Sequence, residues 1–256
     1  MNDMTPNTVA RPSVYRHFHR IAWLAVVLAA CVIVFGAYVR LSNAGLSCPD
    51  WPTCYGKAAW PTHADQVVGH AATDIRPVEP GKAWLEQFHR HIAASLGLLV
   101  FALALLAARR RRFGLAQVIG AAALVAIAIP LYMQGQHVAS SVLVAIAEAA
   151  LLWAALRWSN IDLARTAVLT LAVIIFQAML GMWTVTWLLK PVVVMAHLIG
   201  GLTTFSLLAW MAWRATDIPG PVGDAANLRR LPSIGQGLRV VPNALGMKTV
   251  LIVPRT

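Results

Sequence analysis

Apolar residues in this chain run in long, nearly unbroken blocks, and the polar residues collect in the gaps between them. Six blocks approach or exceed the length of about 20 residues that a helix needs to cross a hydrocarbon core: residues 21 to 40, 87 to 108, 114 to 133, 139 to 157, 164 to 186 and 191 to 213. At that depth a single segment can satisfy its own backbone only as a helix. The pattern therefore predicts an all-α polytopic membrane helix bundle of about six transmembrane helices. The first block is too long for the core of a signal peptide, and no small-residue cleavage site follows it before Arg40, so it reads as a retained helix. Residues 1 to 20 read as an N-terminal segment, 21 to 213 as the transmembrane bundle and 214 to 256 as a tail. From Pro219 onward the tail is rich in Pro, Gly and Arg, and its apolar stretch at 247 to 253 is too short to span, so poor order is expected there.

Composition supports the membrane reading, with 59% hydrophobic and 12% charged residues. The net charge of +11 would suit a nucleic-acid partner, but its placement argues against one. Arg11, Arg16 and Arg20 precede the first block, Arg109 to Arg112 follow the second, Arg157 and Arg165 flank the fourth-to-fifth gap, and Arg214 opens the tail. All fall on one side, which the positive-inside rule makes cytoplasmic. The expected location is the inner (plasma) membrane, multi-pass, with a cytoplasmic N-terminus and no nucleic-acid partner. The opposite side carries the long loop from Leu41 to about Glu86, in which Asp50, Asp65, Asp74, Glu79 and Glu86 offset Lys57, Arg76 and Lys82. On that side disulfides persist, and Cys48 and Cys54 in S-C-P-D-W-P-T-C-Y-G are expected to form one. Cys31, within the first block, reads as a small buried hydrophobe.

Two histidines carry the candidate chemistry. His89 lies a few residues inside the second block and His197 a few inside the sixth, both near the same outer face. A polar ring at membrane depth is rare unless it binds something. Antiparallel helices presenting imidazoles at similar depth have the geometry of bis-histidine haem ligation, against the alternative of two satisfied core residues. In W-L-E-Q-F-H-R-H, Glu86 is three residues before His89, so a carboxylate shares its helix face as a candidate acid, base or proton relay. Arg90 lies near the outer surface, where a guanidinium can pair with haem propionates. His91 faces away, and a solvated interfacial face explains it equally well. Lys190 and Pro191 form a short turn that makes the last two helices antiparallel neighbours, and Gly200 and Gly201, one turn past His197, allow close approach. Gln177, Trp183, Thr184 and Thr186 read as polar glue or as pocket lining, while Gln134, Gln136 and His137 read as a solvated loop. Tyr15, His17 and His19 read as interfacial. No P-loop, dinucleotide fingerprint, nucleophile elbow or metalloprotease motif is present.

Four stretches resemble the haem A synthase family: G-A-Y-V-R-L-S-N-A-G-L-S-C-P-D-W-P-T-C-Y-G at 36 to 56, A-W-L-E-Q-F-H-R-H at 83 to 91, L-G-M-W-T-V-T at 180 to 186, and K-P-V-V-V-M-A-H-L-I-G-G at 190 to 201. The resemblance implies that His89 and His197 ligate the iron of a substrate haem, that Glu86 is the functional carboxylate, and that Cys48 and Cys54 match an outer-loop cysteine pair. It implies oxidation of a methyl group of haem O to a formyl group, giving haem A for cytochrome oxidase. Implied partners are the farnesyltransferase that supplies haem O, a membrane electron donor, the oxidase assembly machinery and a further copy of the chain in a homo-oligomer. Members of the family typically have two four-helix halves. Here residues 113 to 160 match no usual linker, and a second histidine pair, with its haem b site, is expected to be missing. Two further readings stay open: a non-catalytic haem-binding or assembly protein, and a membrane thiol oxidoreductase using Cys48 and Cys54.

Overall fold

The structure is a computed structural model, and it describes residues 13–67, 77–160, 162–217, 238–242 and 248–252. Six helices are long and apolar enough to cross a membrane: α1 (Ser13–Leu41), α2 (Pro80–Ala108), α3 (Gly114–Met133), α4 (His137–Arg157), α5 (Ala164–Thr186) and α6 (Pro191–Asp217). The protein is a polytopic helical membrane bundle. Arg11 and the tail beyond Asp217, apart from two strands, lie outside the described residues. Those strands, β1 (Leu238–Pro242) and β2 (Lys248–Ile252), pair antiparallel with Val240 opposite Val250.

Boundaries follow the apolar blocks closely for α3, α5 and the start of α6. The first two helices start early: α1 begins eight residues before its apolar block, at Ser13, and α2 seven before its own, at Pro80. Proline at the first helical position has φ preset and lacks only an N–H that would go unbonded there. The added two turns lift Glu86 out of the expected loop and onto the same helix as Gln87 and Arg90.

Adjacent helices are α1 with α2, α2 with α5, α5 with α6, and α6 with α1, so these four close a ring. The hairpin α3–α4 lies outside the ring, with α3 against α2 and α4 against α5. At its base Arg111 Nη2 reaches Asp162 Oδ1 at 2.6 Å and the Ser159 carbonyl at 3.2 Å, tying the chain leaving α2 to the chain arriving at α5.

The dense core occupies the arginine-rich half of the ring. Ala22, Ala25 and Ala29 of α1, Leu103 and Ala104 of α2, Val168 and Leu171 of α5, and Leu208 and Met211 of α6 are all buried there. Small residues on α1 admit the larger side chains opposite, which is how helices pack when lipid is as apolar as their own surfaces. Leu151 of α4 joins the same cluster. Nearer the other end packing loosens: Gly36, His89, Gly181 and His197 are all only partly buried. Cys31 departs from the sequence expectation, since it is exposed. It follows core-facing Ala29 by two residues, about 200° round the helix, and so points outward.

Leu103 is fully buried, whereas Leu156 is 79% exposed on the outside of the bundle. Leu103→Ala is expected to cost about 2 to 5 kcal/mol, and Leu156→Ala almost nothing, as read by thermal unfolding of the purified protein in one detergent.

Candidate functional site

The site is built from the four ring helices at one level. His89 on α2 and His197 on α6 occupy one diagonal of the ring. At 1.5 Å per residue, His89 lies about 14 Å from the first residue of α2 and His197 about 9 Å from that of α6. Glycines stand on the other diagonal. A Cβ built on Gly36 of α1 would come within 2.8 Å of the His89 ring, and one on Gly181 of α5 within 3.4 Å of the His197 ring. Each imidazole therefore rests on a neighbouring backbone that has no side chain to displace it. Phe35 stacks near-parallel to His89, with ring centroids 6.4 Å apart, and holds its plane from the side.

Nδ1 of His89 and Nδ1 of His197 are both buried without a hydrogen-bond partner, as is Nε2 of Gln177. A buried polar atom left unbonded costs about 1 to 3 kcal/mol, and these three lie within about one helical turn of each other in depth, which makes this the candidate site. The donor set suits a haem: the two imidazoles, on opposed helices, would hold its iron. Among the described residues no cluster of three or more His, Cys, Asp or Glu is placed to hold a bare metal ion.

Above this level lies the loop between α1 and α2, closed by the Cys48–Cys54 disulfide. A single turn of α2 grips it. Glu86 Oε2 accepts from the N–H groups of Ser47 (2.6 Å) and Cys48 (2.9 Å), and its Oε1 pairs with Arg90 Nη2 at 2.6 Å. Arg90 Nη1 donates to the carbonyls of Asp50 (2.8 Å) and Thr53 (2.7 Å), and Gln87 Nε2 to those of Ala58 (2.8 Å) and Pro52 (3.3 Å). Inside the loop Asp50 accepts from the N–H groups of Tyr55 and Gly56 and from the Thr53 hydroxyl.

This geometry gives two of the expected site residues contacts that hold the loop. Glu86 is buried with both oxygens bonded, and Arg90 directs its guanidinium to the loop and to Glu86. The two are paired with each other as well as with the loop. The i,i+4 spacing that joins them to each other decides this, where sequence reading had weighed only the i,i+3 spacing to His89. Gln87 and Asp50 were missed as functional positions. The signal for Asp50 was present in D-W-P-T-C-Y-G, an aspartate ahead of a tight Gly-ended turn.

Other candidates lie apart from the histidines. His91 Nδ1 is 2.7 Å from the Gln87 carbonyl, and its ring meets Trp60 edge-on. Thr184 and Thr186 donate to the carbonyls of Gly181 and Met182 on their own helix, and Trp183 stacks on Trp187. His137 starts α4 and packs on Tyr132, whose other contact is Trp51 of the disulfide loop. The outer hairpin thus touches the cover of the site without reaching its floor.

A family model described as cytochrome oxidase assembly protein matches residues 19–137 and again 131–250. The chain belongs to this family. The two matched stretches meet at the turn between α3 and α4. A heme A synthase from Shewanella oneidensis is 35% identical over 194 residues, covering 74% of this chain and 44% of the relative. The chain thus spans less than half the length of that relative. No solved structure matches.

Glu86→Ala removes the acceptor for two buried N–H groups and strands the Arg90 guanidinium. It is expected to destabilise the protein by about 3 to 5 kcal/mol and to speed reduction of the Cys48–Cys54 disulfide by a water-soluble phosphine, followed by thiol labelling.

Proposed function

We propose that this chain is a haem A synthase-type membrane oxidoreductase whose substrate, haem O, is held between His89 and His197. The observation that carries the reading is the pair of imidazoles on one diagonal of the ring, each with an unpartnered buried nitrogen and each resting on a glycine. The 35% identity to a heme A synthase supports the reaction class. In that reaction one methyl group of haem O becomes a formyl group by two hydroxylations, each consuming dioxygen as oxidant with two electrons from a membrane donor and releasing water, after which the gem-diol loses water.

The chain's own residues bind, orient and enclose. His89 and His197 would hold the iron, while Phe35 and the two glycines set the imidazole rings. Glu86, Gln87 and Arg90 are positioning residues that hold the disulfide loop over the site and limit water there. The arginine-rich side faces the cytoplasm under the positive-inside rule, which places the disulfide loop on the oxidising side. Farnesyltransferase delivery of haem O, transfer of product to cytochrome oxidase assembly and self-association belong to the same proposal.

The decisive experiment expresses the chain with a haem O-forming farnesyltransferase, purifies it, records its optical spectrum and extracts its haem. Haem A or its hydroxylated intermediate is the expected product. Bound haem O or haem B without product supports a non-catalytic binding protein instead, and no bound haem overturns both readings. His89→Ala and His197→Ala are each expected to abolish the low-spin haem spectrum, with His137→Ala leaving it intact. Retention of that spectrum in both single variants removes the assignment of the ligands.

A further inference from the structure

One polar group a turn below the histidines is left unused by the proposed ligation. Gln177 of α5 is only 8% exposed, and its amide nitrogen is buried without a partner. It precedes Gly181 by four residues, so it shares the helix face on which the His197 ring rests. Its amide occupies the space a side chain at Gly200 would fill, and Gly200 is one turn beyond His197 on α6. The two helices thus exchange polar groups across one seam: Gly181 receives His197, and Gly200 receives Gln177. The exchange sets the amide one turn deeper in the membrane than the ligand.

Neighbouring hydroxyls do not compete for that role. Thr184 donates to the Gly181 carbonyl at 2.6 Å, Thr204 to that of Gly200 at 2.9 Å, Thr203 to that of Ile199 at 2.9 Å and Ser95 to that of His91 at 3.0 Å. On α1 and α2 the side chains between the histidine level and the core are apolar or small, among them Val32, Ile33, Ala93 and Leu96. Gln177 therefore offers an uncommitted amide to whatever part of a bound haem lies on the deep side of the iron.

Which part that is follows from charge. Propionates are anionic, and the nearer water is at the disulfide-loop end, so the propionate edge turns that way and the opposite edge turns inward. On haem O the inward edge carries the hydroxyethylfarnesyl group, whose hydroxyl has no counterpart on haem B, where a vinyl group stands. We propose that Gln177 recognises this hydroxyl and so makes the site selective for a hydroxyalkyl haem over a vinyl haem. The inference rests on the histidine-pair reading of the same site and adds a specificity-determining residue to it. A site built to hydrogen-bond a hydroxyl rejects the analogue lacking it, because its own polar group is then left unpaired.

The test titrates the purified full chain with three haems: haem O, haem B, and haematohaem, which carries hydroxyethyl groups in place of the vinyls and has no farnesyl chain. Affinities are read from the optical spectrum. Wild type is expected to bind haem O and haematohaem more tightly than haem B. Gln177→Leu is expected to weaken both hydroxyalkyl haems about tenfold, the weight of one neutral hydrogen bond, and to leave haem B unchanged. Gly200→Ala, which pushes the amide from its place without removing it, is expected to shift selectivity in the same direction and serves if the leucine variant does not fold. Equal weakening of all three haems makes Gln177 a strut between α5 and α6 and overturns the proposal, as does unchanged selectivity in both variants. Failure of wild type to bind any haem instead overturns the histidine-pair reading on which it rests.

Discussion

An imidazole inside a membrane bundle is costly unless its nitrogens are partnered, and this chain accepts that cost twice on one diagonal of a four-helix ring. Much else in the structure follows from that pairing. The ring is packed tightly toward the arginine-rich end, where Leu103, Leu208 and Met211 interlock with alanines, and this firm base holds the partly buried level above in register. Glycines appear at Gly36, Gly181 and Gly200, where a neighbouring polar side chain needs the room a Cβ would take. The same glycines that would weaken a helix in water are tolerated in a membrane helix, because close approach is the main attraction available between helices there.

A second layer secures the first. Glu86, Gln87 and Arg90 on α2 hold six backbone groups of the loop between α1 and α2, and the disulfide shortens that loop from within. The result is a cover whose position is set by the same helix that carries His89. Any shift of α2 moves His89 and cover together, so their relation is preserved while the helix adjusts against its neighbours. The turn between α5 and α6 adds to this cover, because Leu189 packs against Gly45 of the loop.

Much of this was legible in the residues. Six apolar blocks gave six helices, since membrane depth leaves the backbone no alternative. Intramembrane histidines in W-L-E-Q-F-H-R-H and V-V-V-M-A-H-L-I-G-G pointed to the two helices that the fold sets on one diagonal of the ring. What stayed hidden depended on which faces meet. Glu86 shares spacing with His89 and with Arg90 alike, and only packing shows that the second relation governs it. The early start of α2 was obscured because a hydropathy reading stops where apolar residues stop, while a helix begins where Pro80 and its hydrogen bonds permit. Gln177 resembled polar glue until the structure paired its amide with the gap at Gly200.

The clasp of Arg111 with Ser159 and Asp162 gives the outer hairpin a distinct status. α2 and α5 are neighbours in the ring, yet the whole hairpin intervenes between them in sequence. Because that excursion is tied at its neck, it returns to the place it left, and the two ring helices are connected as though by a short turn. The entropy of closing the ring is then set by the few residues at the neck rather than by the full detour. The hairpin is in this sense an appendix to the bundle's topology: length can change beyond the clasp while the order of helices around the histidines stays the same.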